Sequence, residues 1–212
     1  MMYQLYTAAG ACSMAIHAIL NEMNVPFETT MVSIQNGDTQ KPEYLKLNPR
    51  GQVPLLVKDG KVLLEGGAMI TYLLDEHGDG TLLPKSGWER AVALQWLMYG
   101  NSSLHPAYAR IFWLNRNVAD EKTKTELMAI AMSNVQTMWD QIEQHLQAQP
   151  FLAGASVTAG DILLTVIANW GGFLPKQFTF GPKTKALLRA VAARPAFMKT
   201  TADEGVEYKA AA

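Results

Sequence analysis

The sequence predicts a small mixed α/β domain followed by an all-helical bundle. Three observations carry this prediction. A strand–helix–strand pattern opens the chain, a hairpin signal precedes a helical stretch near residue 66, and only helical periodicity remains beyond residue 88. The opening pattern matters because a helical crossover makes its two strands parallel.

Taken in order, Tyr3 to Thr7 (YQLYT) is a β-prone run that ends in a turn of small residues, Ala8 to Ala11. Met14, Ile16, His17, Leu20 and Met23 then recur at helical spacing, predicting a helix of about ten residues from Ser13. Phe27 to Ile34 alternates as a second strand, and residues 41–47 form a short helix. The run NPRGQVPLL (48–56) leads to Asp59-Gly60, a hairpin turn signal, with Val62-Leu63-Leu64 as the returning strand. A helix follows from about Gly66 to His77, so the first domain covers residues 1–80. The Gly- and Pro-rich stretch GDGTLLPKSGW (78–88) joins the two halves, with the linker proper at 81–88.

In the second half, residues 89–212, Leu94, Trp96, Leu97 and Met98 share one helix. Leu127 to Leu146 forms a long one, and Thr158 to Trp170 and Thr184 to Ala193 two more. His105, next to Pro106, is placed near the end of the first bundle helix. The tail from Ala202 carries no periodicity and is expected to be loosely held.

Bulk composition excludes several function classes. At 49% hydrophobic and 17% charged the chain is globular rather than disordered. A net charge of −1 without any block of like charges argues against a broad nucleic-acid surface, which needs clustered Lys and Arg. No apolar run approaches the roughly 18 residues of a membrane span. The single cysteine, Cys12, excludes an intrachain disulfide and Cys-rich metal sites, and suits a reducing compartment. Ala9 to Cys12 loosely matches a lipoprotein cleavage site, but no Lys or Arg precedes it and Gln4 and Thr7 interrupt the apolar stretch. A cytoplasmic protein that opens on its first strand is the expectation. His17, His77, His105 and His145 show no metal-ligand spacing, so no metal is expected.

Four stretches are candidates for chemistry. Cys12 stands between a strand end and a helix start, where free N–H groups and the helix dipole favour a thiolate. That dipole contributes about 0.3–1 kcal/mol, at most ~2, which places the thiol about one unit below its free pKa of roughly 8.5. The other reading is a small buried residue filling a turn. Ser13 either donates to a sulfur beside it or caps the helix. Val53-Pro54 either opens an edge strand or presents the Val53 backbone to an extended ligand. In Glu65-Gly66-Gly67 the glycines let a ligand approach the helix start, whose N–H groups attract a carboxylate, while Glu65 suits an ammonium. Thr158-Ala-Gly-Asp161 reads as a capping box, with Val157 and Ile162 as its staple, and this is stability chemistry.

Together NPRGQVPLL (48–56), LEGGAMITYL (64–73) and SVTAGDILL (156–164) resemble the cytosolic glutathione transferases across essentially the whole chain. That family joins a thioredoxin-like domain to an all-helical domain. GACS (10–13) is most similar to the bacterial beta class, in which the cysteine stands beside the glutathione sulfur and can form a mixed disulfide with it. The resemblance implies an active-site Cys12 with Ser13 beside it, and His105 facing the second substrate. It implies Val53 before a cis Pro54 pairing with the cysteinyl unit, helped by Gln52. Glu65 and the helix start at Gly66 would take the γ-glutamyl end. Asn101 would reach the ligand of the partner subunit in a homodimer. The electrophile, a small hydrophobic compound, would lie near Tyr108, Phe112 and Trp113.

The function implied is detoxification: glutathione conjugation of an electrophile, or thiol exchange or peroxide reduction through Cys12. Most classes carry Ser or Thr where this chain has Gly66, which implies weakened glutathione binding. Gly66, together with Thr7 in place of an early tyrosine, leaves a second reading open: a non-catalytic dimeric binding protein that kept the fold.

Overall fold

A computed structural model describes residues 2–174 and 177–211. The first half is a four-stranded sheet in the order β2-β1-β3-β4 with three helices. Strand β1 (Tyr3–Thr7) alternates buried and half-buried residues, with Tyr3, Leu5 and Thr7 turned inward, as a strand with one packed face requires. Helix α1 (Ser13–Glu22) carries the chain over to β2 (Phe27–Met31), which runs parallel to β1 with Tyr3 opposite Phe27. The strand stops three residues short of the predicted Ile34, and Val32 N–H still donates to Thr7 at 2.8 Å.

Helix α2 (Pro42–Leu47) leads to β3 (Leu55–Lys58) and β4 (Lys61–Leu63), both antiparallel to their neighbours. Asp59 and Gly60 turn between them with φ of 50° and 74°, the left-handed pair that a two-residue hairpin demands. Helix α3 (Gly66–His77) closes the domain, packing beside α1 and burying Met69, Ile70, Leu73 and Leu74 in the core. The arrangement is thioredoxin-like.

Beyond it lie α4 (Gly87–Tyr99), α5 (His105–Asn117), α6 (Glu121–His145), α7 (Ala159–Ala168), α8 (Pro182–Ala192) and α9 (Pro195–Glu204). Helix α7 is buried along its whole length. Its capping box forms as read: the Asp161 carboxylate accepts from Thr158 N–H and Oγ1, both at 2.7 Å, and also from Leu152 N–H at 2.9 Å.

Two expectations are overturned. His105 does not end a helix. Helix α4 passes through a π-helical segment, Gly100–Leu104, directly into α5, of which His105 is the first residue. Pro106, which has no N–H to donate, follows directly on this π-helical turn, where the regular i→i−4 ladder is already interrupted. The second correction concerns the tail. Residues 195–204 form α9, Glu204 is buried, and Tyr208 donates to the Thr165 carbonyl at 3.1 Å. Among the described residues, no helix is long and apolar enough to cross a membrane.

Candidate active site

A cavity of about 1060 Å³ opens where the C-terminal ends of β1 and β3's approach loop face α5. Its walls include Cys12, Gln52, Val53, Pro54, Glu65 and Gly66 from the first domain, and Asn101, His105, Phe112 and Trp170 from the second. Of the nine residues expected from the sequence to act in catalysis or glutathione binding, eight thus share one cavity; Ser13 does not.

Cys12 caps α1 and is half-buried, with Sγ 3.8 Å from the Val53 carbonyl. Burial pushes its thiol up to about 11, although the backbone N–H groups of Ser13 and of Cys12 itself pull the other way. The expected lowering is therefore reversed. Loss of hydration outweighs a dipole term of at most ~2 kcal/mol. At neutral pH this sulfur keeps its proton and is a donor.

Ser13 is fully buried and turned away from the cavity, which corrects its placement beside a ligand sulfur. Its Oγ accepts from Ala8 N–H at 3.2 Å and lies 2.8 Å from Thr7 Oγ1. Thr7 in turn donates to Glu204 Oε1 at 3.0 Å, and the other carboxylate oxygen accepts from Gly10 N–H at 3.1 Å. His17 Nδ1 completes the set, 2.9 Å from Glu204 Oε1. Trp170 Nε1 donates to the Gly10 carbonyl at 2.7 Å. The loop that carries Cys12 is thereby held from the helical domain by two side chains.

On the opposite wall, Tyr44 Oη and Asn48 Nδ2 both donate to the Gln52 carbonyl at 2.7 Å, fixing the backbone just before the cis Val53-Pro54 bond. Glu65 has φ of 72°, outside the ordinary range for a residue with a side chain. Its carboxylate pairs with Arg50 at the rim. The first N–H groups of α3 follow it, where no side-chain cap is present.

The electrophile wall differs from expectation. Tyr108 is fully buried and accepts from Trp139 Nε1 at 2.9 Å, and Trp113 is 57% exposed; neither lines the cavity. Phe112 does, with Ala109, Asn115, Arg116 and Trp170. Residues 105, 109, 112 and 116 recur at helical spacing, so one face of α5 supplies this wall. His105 packs edge-on against Trp170 at 5.1 Å between ring centres, and burial lowers its pKa, keeping it neutral at pH 7.

Sequence reasoning missed Arg50, Arg116, Trp170 and Glu204. Arg50 lay in plain view inside NPRGQVPLL. Helix α9, which presents Glu204, is bracketed by Pro195 at its first turn and by Gly205, with φ of 64°, just past its end. These are the ordinary start and stop signals. Among the described residues, no group of three His, Cys, Asp or Glu side chains could hold a metal.

Comparison with known proteins agrees with this geometry. Residues 1–75 match the glutathione S-transferase N-terminal domain and residues 91–195 the C-terminal domain. Glutathione S-transferase GST-4.5 of Xanthomonas campestris pv. campestris is 33% identical over 173 residues, covering 79% of this chain and 81% of that protein. The Xylella fastidiosa glutathione-S-transferase structure superposes with a TM-score of 0.89 at 26% identity, over 97% of this chain and 100% of that one. A sphingomonad glutathione S-transferase complexed with glutathione gives 0.83 at 26% identity, over 96% and 100%. With a relative this similar along most of both chains, and both domains matched in order, the chain belongs to the glutathione S-transferase family.

Proposed function

We propose that the protein binds glutathione in extended form in this cavity and transfers it to a small electrophile held against α5 and Trp170. One observation carries the reading: Cys12 lies between two unlike walls of a single cavity. One wall offers backbone at Val53 and a helix start beside an acid, a match for the peptide and amino-acid ends of glutathione. The other sets Ala109, Phe112, Leu163 and Trp170 beside a neutral His105, and these apolar groups suit an electrophile carbon skeleton. The sphingomonad relative, which holds glutathione, supports the same assignment.

In this reading Cys12 works as a thiol donor. Its S–H and the N–H groups at the start of α1 stabilise the glutathione thiolate, raising the attacking species at neutral pH. The thiolate electron pair forms the new C–S bond as the leaving group departs with its own pair, and both reactants are held at reacting distance by opposite walls. The high thiol pKa favours conjugation over exchange at Cys12, since exchange needs a thiolate. The protein would act as a homodimer; Val62 and Met98, 39% and 38% exposed, are apolar surface available to a partner.

Isothermal titration with glutathione, run beside turnover of an activated aryl halide, tests the proposal. Binding in the micromolar to millimolar range with turnover is expected. Absence of heat at millimolar glutathione refutes the glutathione reading, and binding without turnover selects the non-catalytic reading that Gly66 leaves open. Mass spectrometry of oxidised glutathione mixtures, with Cys12→Ala as control, reports whether a mixed disulfide accumulates.

A further inference from the structure

We propose that Tyr72 is a nucleophilic tyrosine, a modification site apart from the cavity of Cys12, whose phenolate oxygen takes sulfonyl and phosphoryl groups from electrophiles that carry a leaving group. The proposal does not depend on the glutathione reading, and its test contains no glutathione.

Four polar side chains meet at the end of β1 away from the cavity, and none of them lines it. Tyr3 opens β1, Lys58 ends β3, and Tyr72 and His77 stand on α3. The antiparallel register, with Gln4 opposite Val57, carries Lys58 to the level of Tyr3. Lys58 Nζ lies 5.0 Å from the centre of the Tyr3 ring and 5.5 Å from that of Tyr72, so two aromatic rings hold the ammonium in place. From there it donates to Tyr72 Oη at 2.9 Å. Tyr3 Oη donates to the same oxygen at 3.4 Å, the weaker of the two bonds. A phenol has one hydrogen to give, so His77 Nε2, 2.8 Å from Tyr3 Oη, is the donor in that pair. The donors thus run from His77 to Tyr3 to Tyr72, where Lys58 joins them.

Tyr72 Oη ends this chain and accepts two bonds, one of them from a cation. That arrangement stabilises the oxygen as phenolate more than as phenol. The Lys58 bond, and then the Tyr3 bond, lower the Tyr72 pKa against burial and Glu76, which raise it. Tyr3 goes the other way, raised first by burial and then by its bond to Tyr72, so it keeps the proton it donates. Lys58 stays charged, since its bonds to Tyr72 and Tyr3 raise its pKa. Access separates the two rings as well: Tyr3 is buried, and Tyr72 only half-buried. Elsewhere burial pushes Tyr44, Tyr99, Tyr108 and Tyr208 up. In the reaction a lone pair of the Tyr72 oxygen forms the new bond to sulfur or phosphorus. The bond to the leaving group breaks, and that group departs with its electron pair. The phenol proton has gone to water, and the Lys58 ammonium stands beside the departing anion.

The test treats the protein with 4-methylbenzenesulfonyl fluoride, maps the label by peptide mass spectrometry and follows its rate against pH. The proteins are wild type, Lys58→Met, Lys58→Arg and Tyr3→Phe, with melting curves as folding controls. Tyr72 is expected to be labelled ahead of every other tyrosine, with a rate midpoint below the free phenol value of about 10. Lys58→Met keeps an apolar stem and removes the charge. It should slow Tyr72 labelling at neutral pH by roughly tenfold or more and move the midpoint to about 10 or above. Lys58→Arg should keep most of the rate, and Tyr3→Phe should lose about two- to fivefold, as for one neutral hydrogen bond. Label spread evenly over several tyrosines, label on Lys58 in place of Tyr72, or a Lys58→Met rate within about twofold of wild type would each overturn the proposal. If Lys58→Met does not fold, the wild-type profile decides: a Tyr72 midpoint below about 10 supports the proposal, and one at or above it overturns it.

Discussion

Cys12 shows how burial and a helix dipole compete at one atom. A sulfur at a helix start is expected to ionise more easily, and here the packed surroundings win by holding the thiol at about 11. Alkylation by iodoacetamide should therefore be slow at pH 7–8 and climb steadily toward pH 11, followed by intact mass. A midpoint at or below the free-thiol value of roughly 8.5 would contradict this. Stability follows with a definite sign. The unfolded chain releases the thiol proton first, so this contribution is complete below the ordinary thiol pKa and is lost as pH rises through about 11. At this scale the sequence was legible wherever a residue lining the cavity stood inside a contiguous motif, as Cys12, Val53 and Glu65 do. Ser13 was misread because a hydroxyl announces a need for partners but not their direction, and its partners come from β1 and, through Thr7, from α9. Trp170 and Arg116 were invisible for a related reason, since each meets the cavity only through packing of distant helices.

The elements of the first domain follow from periodicity and turn chemistry, so most of them were readable with boundaries close to those observed. Helix α9 was not, because its energetics lie in one polar contact set rather than in an apolar stripe. Glu204 is buried and serves Thr7, Gly10 and His17 together. Replacing it by alanine leaves a backbone N–H, a hydroxyl and an imidazole without their partner. At about 1–3 kcal/mol for each buried group left unsatisfied, and with partial relaxation, Glu204→Ala is expected to cost about 2–4 kcal/mol in urea denaturation. Asp203, one residue earlier, pairs with Lys199 and lies 3.6 Å from His17, but its side chain is 39% exposed. Asp203→Ala should therefore change stability by less than about 1 kcal/mol. Equal losses for the two would mean that the helix, rather than the buried carboxylate, carries the effect.

Across the whole molecule, the two domains are joined by more than their linker. Arg194 pairs with Glu22, Asn21 Nδ2 donates to Thr200 at 2.9 Å, Trp170 reaches Gly10, and Glu204 reaches three residues of the β1–α1 region. Every one of these contacts ends on α1, on the loop before it or on Thr7, the last residue of β1, and so surrounds the part that carries Cys12. The first domain is therefore expected to borrow stability from the second, and the pair to unfold as one unit despite the family's two matched domains. The sequence supplies a clean experiment. All five tryptophans lie in the helical domain, at 88, 96, 113, 139 and 170, and the single cysteine lies in the other. Tryptophan fluorescence and Cys12 labelling thus report separate domains in the same urea titration. Coincident midpoints are expected for wild type, as two-state unfolding requires. Glu204→Ala, which cuts the most buried of the links, should expose Cys12 at lower urea than the tryptophans report. If wild type already shows two separated midpoints, the interdomain contacts do not couple folding. If the variant keeps a single shifted midpoint, the remaining links through Arg194, Thr200 and Trp170 suffice to hold the loop that carries Cys12.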